Sequence, residues 1–271
     1  MAVDPIQSFA SGFALQVERL YAGLILAGSA NPAGRSGLAS ETVDRCPDSQ
    51  PGLGGTLLYA GELDAKARAL MAAANIAGAA SLAVSADATA AKQAVRDGVT
   101  DFLVTSLDEA LRILKNEIRK RQTVAVCVAL TPETGEADFA REMAERGVLP
   151  DLARPVEGAA LQEDEALLAW RVSAAPALWL PKLDAIALEC LEGEAGPARA
   201  GSSRRWLRLA PRYLGRLGQG LRLLRCNWET AARFQKQVQE RVESGEIGVP
   251  VEIQWVSPPA ASIRLQSSCT P

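Results

Sequence analysis

Between residues 56 and 147, short apolar runs alternate with longer stretches whose apolar positions recur at helical spacing. Residues 56–60 (TLLYA) follow Gly54 and Gly55 and read as a buried strand. Residues 62–79 are rich in Ala, Leu, Met, Lys and Arg, all strong helix formers, with Gly78 near the end as a terminator. Residues 80–84 (ASLAV) form a second strand. Asp87 stands where it can cap a helix over 88–96, and Gly98 can stop that helix. Residues 100–104 form a third strand. Ser106 precedes Glu109 at capping-box spacing and opens a helix over 107–121. Residues 123–130 (TVAVCVAL) are a β-branched, nearly all-apolar fourth strand, and 137–146 a helix ended by Gly147. Strands that are apolar on both faces and alternate with amphipathic helices predict a parallel sheet covered on both sides. Ligands of such sheets bind beyond the carboxyl ends of the strands. Here those ends are Gly61–Glu62, residues 85–87, Thr105–Ser106 and residues 131–134.

The flanks have a different character. Phe9, Phe13, Leu15, Val17, Leu20 and Leu24 predict a helix over 6–27. Residues 28–55 are rich in Gly, Ser, Asn, Pro and Asp and read as a long loop or linker. After Pro150 an acidic stretch leads to Trp170 and Trp179 among alanines. Residues 183–191 read as helix, 192–203 as a linker, 228–244 as helix, 249–256 as a strand and 258–271 as a loose tail. The chain thus divides into an N-terminal helix and linker (1–53), an α/β core (54–155) and a smaller, mainly helical C-terminal part with a late strand (156–271).

Composition narrows the chemistry. Hydrophobic residues make up 48% and charged residues 23% of the 271 residues, an ordinary globular balance. The net charge of -3 argues against nucleic-acid binding. There is no histidine, which excludes His-based triads, His-ligated zinc and the commonest general acid–base residue. Chemistry would fall to Asp, Glu, Lys, Tyr, Cys or a cofactor. Cys46, Cys127, Cys190, Cys226 and Cys269 lie far apart with no Cys-x-x-Cys spacing, so no metal site is expected. No signal peptide and no transmembrane run is read, and a cytoplasmic protein is the default expectation.

A basic segment stands apart. Arg204, Arg205, Arg208, Arg212, Arg216, Arg222 and Arg225 occur with no acid between them, interleaved with Trp206, Leu207, Leu209, Leu214 and Leu217. Such a stripe can lie on an anionic membrane or on nucleic acid. Pro211 and the acidic flanks favour another reading: an amphipathic pair of helices packed on the sheet, with the Arg heads in water or paired.

Several segments follow a known order and spacing. They are residues 54–61 (GGTLLYAG), 77–82 (AGAASL), 90–101 (AAKQAVRDGVTD), 107–111 (LDEAL) and 145–151 (ERGVLPD). With them, residues 54–151 resemble the central, dinucleotide-binding part of the urocanase (urocanate hydratase) family. Further on, 234–237 (FQKQ) and 248–250 (GVP) are similar to a later family segment. The resemblance implies a Rossmann-like parallel sheet with helices on both faces and a homodimer. It also implies a tightly bound NAD⁺ that acts as an electrophile toward the imidazole of urocanate before water adds.

The ligand positions depart from the family pattern. The family places Gly-Gly-Met-Gly-Gly-Ala-Gln-Pro after the first strand; here only Gly61 matches, followed by Glu62, Leu63, Asp64, Ala65 and Lys66. The family's Glu at the end of the second strand aligns with Ser85, with Asp87 close by. The family's Gly-Asn after the fourth strand is replaced near Thr131, and the family's polar segment after Pro150–Asp151 is replaced by residues 152–157 (LARPVE). The family's Tyr-Gly-Asn-Asn and Phe-Cys-Arg-Gly-Val-Gly segments have no counterpart. The expectation is a urocanase-like scaffold that has lost NAD binding and hydratase activity, holds no cofactor, and binds a small-molecule ligand or a partner. The alternative is a divergent NAD-dependent hydro-lyase with Gly61, Ser85, Asp87 and Thr131 as cofactor-binding positions on a rebuilt loop. Catalytic residues stay unassigned. Glu62 and Asp64 read either as an acid pair at a pocket mouth or as acids complementing a helix N-terminus. Asp101 fits a structural role at a strand end, and Lys92 a solvated charge.

Overall fold

The structure is a computed structural model that describes residues 12–30, 52–131, 133–154, 158–192, 197–215 and 220–256. Its first sheet contains β1 (Leu57–Glu62), β2 (Ala80–Ser85), β3 (Phe102–Val104), β4 (Ala125–Ala129) and β5 (Leu152–Ala153). All its pairings are parallel, in the order β3-β4-β2-β1-β5. Helix α1 (Gly12–Ala30) precedes the sheet. The crossovers are α2 (Ala65–Ala77), α3 (Ala88–Arg96), α4 (Leu107–Arg119) and α5 (Glu136–Glu145).

The two-residue period of the strands sorts side chains onto two faces. Leu57, Leu82, Val84, Val126 and Val128 join Leu107, Leu111, Leu114, Phe139 and Met143 of α4 and α5 in one core. Leu58, Ala60, Ala83, Ala125 and Cys127 join α2 and α3 in the other. The first two crossovers therefore cover one face and the last two cover the other. The change of face falls between β2 and β4, which are neighbours in the sheet. In an open α/β sheet that is where a crevice opens beyond the strand ends.

Helix α2 is buried from Ala69 to Ala77. A helix that is apolar all round must be covered all round. The sheet lies on one side of it, and α1 and α7 (Pro197–Tyr213) cover the rest. Ala60, Ser81 and Ala83 on the strands facing it are small, and the Ser81 hydroxyl donates to Asn75 Oδ1 at 3.0 Å. Gly78 ends the helix at φ 102°, a left-handed conformation that glycine adopts without a Cβ clash.

The C-terminal part is richer in strands than expected. Besides α6 (Pro176–Leu191), α7 and α8 (Trp228–Glu243), it holds an antiparallel sheet ordered β7-β6-β8. Its strands are β6 (Glu165–Arg171), β7 (Leu221–Asn227) and β8 (Glu252–Val256), of which only the last was read in the sequence. The sequence EALLAWR of β6 favours helix locally, but the strand is paired on both edges and buried on both faces, so tertiary context decides. Fully buried Trp170 lies 4.8 Å from the Phe234 ring of α8. Helix α7 touches both α2 and β7 and so joins the two sheets.

Four local readings change. The helix expected from residue 62 starts at Ala65, because Glu62 completes β1 and Asp64 is the cap. Residues 197–203 are the first turns of α7, not a linker. The expected pair of basic helices is one helix and then strand β7, and Pro211 lies inside the last turn of α7 without ending it. Strand β5, unread in the sequence, is attached at its start by the Asp151 carboxylate, which accepts the Leu57 N–H at 2.8 Å. The readings for residues 6–11, 31–51 and 258–271 lie outside the described residues. Among the described residues no helix is long and apolar enough to cross a membrane.

Candidate functional site

The carboxyl ends of β1, β2 and β4 lie side by side, because the strands are parallel and β2 pairs with both others. Gly61, Ser85, Asp87 and Thr131 are therefore brought to one edge of the sheet. Ser85 and Thr131 flank the change of face: the N–H of Leu130 donates to the Ser85 carbonyl at 2.8 Å.

The four positions are engaged locally. Ser85 is buried, and its Oγ accepts the Asp87 N–H at 3.2 Å. The Asp87 carboxylate accepts the N–H groups of Thr89 and Ala90 at 2.7 and 3.2 Å, capping α3. Thr131 Oγ1 and Thr134 Oγ1 share a hydrogen bond of 2.9 Å that closes the loop after β4. Gly61 has φ 72°, and a Cβ there would collide with Glu136 Oε1. A side-chain carboxylate thus lies against the bare backbone of that glycine.

At the end of β1, Glu62 Oε1 accepts the Ala86 N–H at 3.3 Å, linking the ends of β1 and β2. Asp64 caps α2 by accepting the Ala67 N–H at 2.7 Å. Arg154, just past β5, donates from Nη2 to both Asp64 oxygens at 2.9 and 3.0 Å and from Nη1 to the Glu62 carbonyl at 3.4 Å. Burial alone would raise the Asp64 carboxyl. The Ala67 N–H and the Arg154 guanidinium outweigh it and hold the group below the usual carboxylate range. This resolves the two readings of Asp64 in favour of the helix cap.

The rest of the site is apolar or neutral. Tyr59 stacks on Phe139 of α5 with centroids 6.3 Å apart. Its hydroxyl is shielded and has no hydrogen-bond partner among the described residues. Burial, and then the charges of Glu136 and Glu62, raise the phenol well above its ordinary value and keep it protonated. Burial, with Glu62 adding to it, pushes the Cys127 thiol up to about 12, so it is no thiolate nucleophile near neutral pH. Among the described residues no group of three or more Cys, Asp or Glu side chains is arranged to hold a metal ion.

The site therefore offers carboxylates at the strand ends, one guanidinium committed to one of them, and backbone amides already occupied. Glu136, Arg154 and Tyr59 belong to this edge, and sequence reasoning did not pick them out. Glu136 opens a helix and Arg154 follows a two-residue strand, and neither carries a periodic or motif signal. The other aligned acids serve the frame. Asp101 Oδ2 accepts the Ala125 N–H at 2.8 Å at the start of β4, as Asp151 does at the start of β1.

In comparisons with known proteins, residues 49–155 match the family model of the urocanase Rossmann-like domain. No curated protein matches the chain. The match spans the parallel sheet with its helices and ends where the C-terminal part begins.

Proposed function

We propose that this urocanase Rossmann-like domain is a binding module for a small molecule or a protein partner, without bound NAD and without hydratase chemistry. One observation carries the reading: the amide groups at the ends of β1 and β2 that could face a phosphate are already held by the chain's own carboxylates. Pyrophosphate binding at such a place needs free N–H groups at a helix N-terminus and glycines that admit the phosphate to the backbone. Here Asp64 takes the Ala67 N–H, Asp87 takes those of Thr89 and Ala90, Glu62 takes that of Ala86, and Glu136 lies on Gly61. A dinucleotide does not fit these residues. It would displace two caps and bring its phosphates beside fixed carboxylates. Each such like-charge pair at 4 Å costs about 4 kcal/mol at the effective dielectric of a protein surface. The absence of histidine from the chain supports the non-catalytic part of the reading.

Thermal unfolding of the purified chain with and without millimolar NAD⁺ tests the proposal. The expected result is an unchanged midpoint. A ligand at 100 times its dissociation constant stabilises by about 2.7 kcal/mol. A saturable rise of that kind would overturn the reading and favour a divergent NAD-dependent hydro-lyase.

A further inference from the structure

A cleft of about 670 Å³ opens at the amino-terminal edge of the parallel sheet, where β3 and β4 begin between α4 and the end of α7. It lies at the opposite ends of the strands from Gly61, Ser85, Asp87 and Thr131, and none of those residues lines it.

One wall is apolar. Phe102 is the first residue of β3, the edge strand of the sheet, and it is 47% exposed. Ile113 and Val124 line the cleft with it. A ring that is open to the cleft can meet a second ring by offset or edge-to-face contact.

The opposite character comes from two arginines, Arg112 of α4 and Arg212 of α7. Arg112 is exposed and has no acidic partner among the described residues. The acids one turn before it are engaged elsewhere: Asp108 pairs with Arg146, and Glu109 accepts the Thr105 N–H at 3.2 Å. The two carboxylates that line the cleft each have a cation of their own. Asp101 accepts the Ala125 N–H through Oδ2 at 2.8 Å and faces Arg212 through Oδ1 at 3.7 Å. Glu117 is paired with Lys120 at 2.9 Å and accepts from the Asn116 amide at 2.8 Å. At 3.7 Å the contact of Arg212 with Asp101 is a charge contact and not a hydrogen bond, so Arg212 as well as Arg112 keeps donors for a guest. A guanidinium presents a planar fork of donors that matches a carboxylate. Around the cleft, residues 112–121 set Arg112, Lys115, Arg119, Lys120 and Arg121 against Glu117 alone, and a local excess of one sign draws in ligands of the other.

We infer that this cleft binds a small aromatic carboxylate, with the carboxylate met by the Arg112 guanidinium, Arg212 adding to the field, and the ring against Phe102 and Ile113. Its volume lies within the usual range of about 300–1,000 Å³ for small-molecule sites, which admits a guest of one or two fused rings.

Calorimetric titration of the full chain with naphthylacetate, naphthylacetamide and acetate tests the inference. The amide keeps the rings without the charge, and acetate keeps the charge without the rings. Three variants accompany the titration, each checked for an unchanged circular dichroism spectrum. Arg112→Gln removes the donor fork, and Phe102→Ser removes the ring, both at exposed positions. Arg204→Gln removes a charge of the same basic stripe, two turns before Arg212 and outside the cleft. The expected result is saturable binding of naphthylacetate, with the amide and acetate each about tenfold or more weaker. Arg112→Gln should weaken naphthylacetate about tenfold, to the level of the amide, and Phe102→Ser should weaken it by a similar factor. Arg204→Gln should leave it unchanged. Acetate or the amide binding as tightly as naphthylacetate would overturn the inference. So would indifference to Arg112→Gln, an equal loss with Arg204→Gln, or no saturable binding to the folded chain.

Discussion

At the residue scale, acidic side chains do several different jobs in this molecule. Asp64 and Asp87 cap helices, Asp101 and Asp151 hold strand starts, and Glu18 and Glu165 grip one arginine. Asp64→Ala removes a cap and the partner of Arg154 and should cost about 1 kcal/mol in urea denaturation, while Asp64→Asn, which keeps an accepting oxygen, should recover most of it. The pH dependence has a definite sign. The folded Asp64 carboxyl lies below its unfolded value. Its contribution is therefore complete above the unfolded pKa and is lost as pH falls through the folded one. Asp64→Asn should flatten the acid side of the stability profile, and an unchanged profile would contradict the assigned role. Arg225→Ala takes the guanidinium from the buried Glu18 carboxylate and should cost about 3 kcal/mol or more in the same assay. A loss of only a few tenths would mean that the cluster is hydrated.

At the scale of elements, helix α2 decides how closely the layers approach. Its buried face is alanine, and the strands opposite present Ala60, Ser81 and Ala83. Ala83→Leu inserts bulk where backbone packing is closest and should cost about 1–3 kcal/mol, read from the shift in denaturation midpoint at constant slope. The elements of the sheet were legible because their signals are local. Apolar runs marked β1, β2 and β4, the caps Asp87 and Ser106 marked helix starts, and Gly78, Gly98 and Gly147 lie at helix ends with positive φ. Strand β6 was not legible, because alanine and leucine favour helix until two partner strands bury them. The two-residue β5 is too short for any period to show. The basic stripe was half legible. Four of its arginines have acidic partners: Arg204 with Glu192, Arg212 with Asp101, Arg222 with Asp184 and Arg225 with Glu18. Its division into helix and strand depends on β6, which the sequence did not reveal.

At the scale of the whole molecule, the four aligned site positions share one sheet edge, and the positions of Gly61, Ser85, Asp87 and Thr131 follow from strand order alone. The side chains that occupy that edge do not follow from it. Glu136 reaches Gly61 from α5, and Arg154 reaches Asp64 from beyond β5, contacts that span 75 and 90 residues and carry no sequence period. Residues 49–155 match the urocanase Rossmann-like domain model, and the edge of the parallel sheet carries the chain's own carboxylates at the amides. Native mass spectrometry of the purified full chain tests that account most directly. It predicts a polypeptide mass of 28.7 kDa per subunit with no NAD adduct. A near-stoichiometric NAD adduct on each subunit would contradict it.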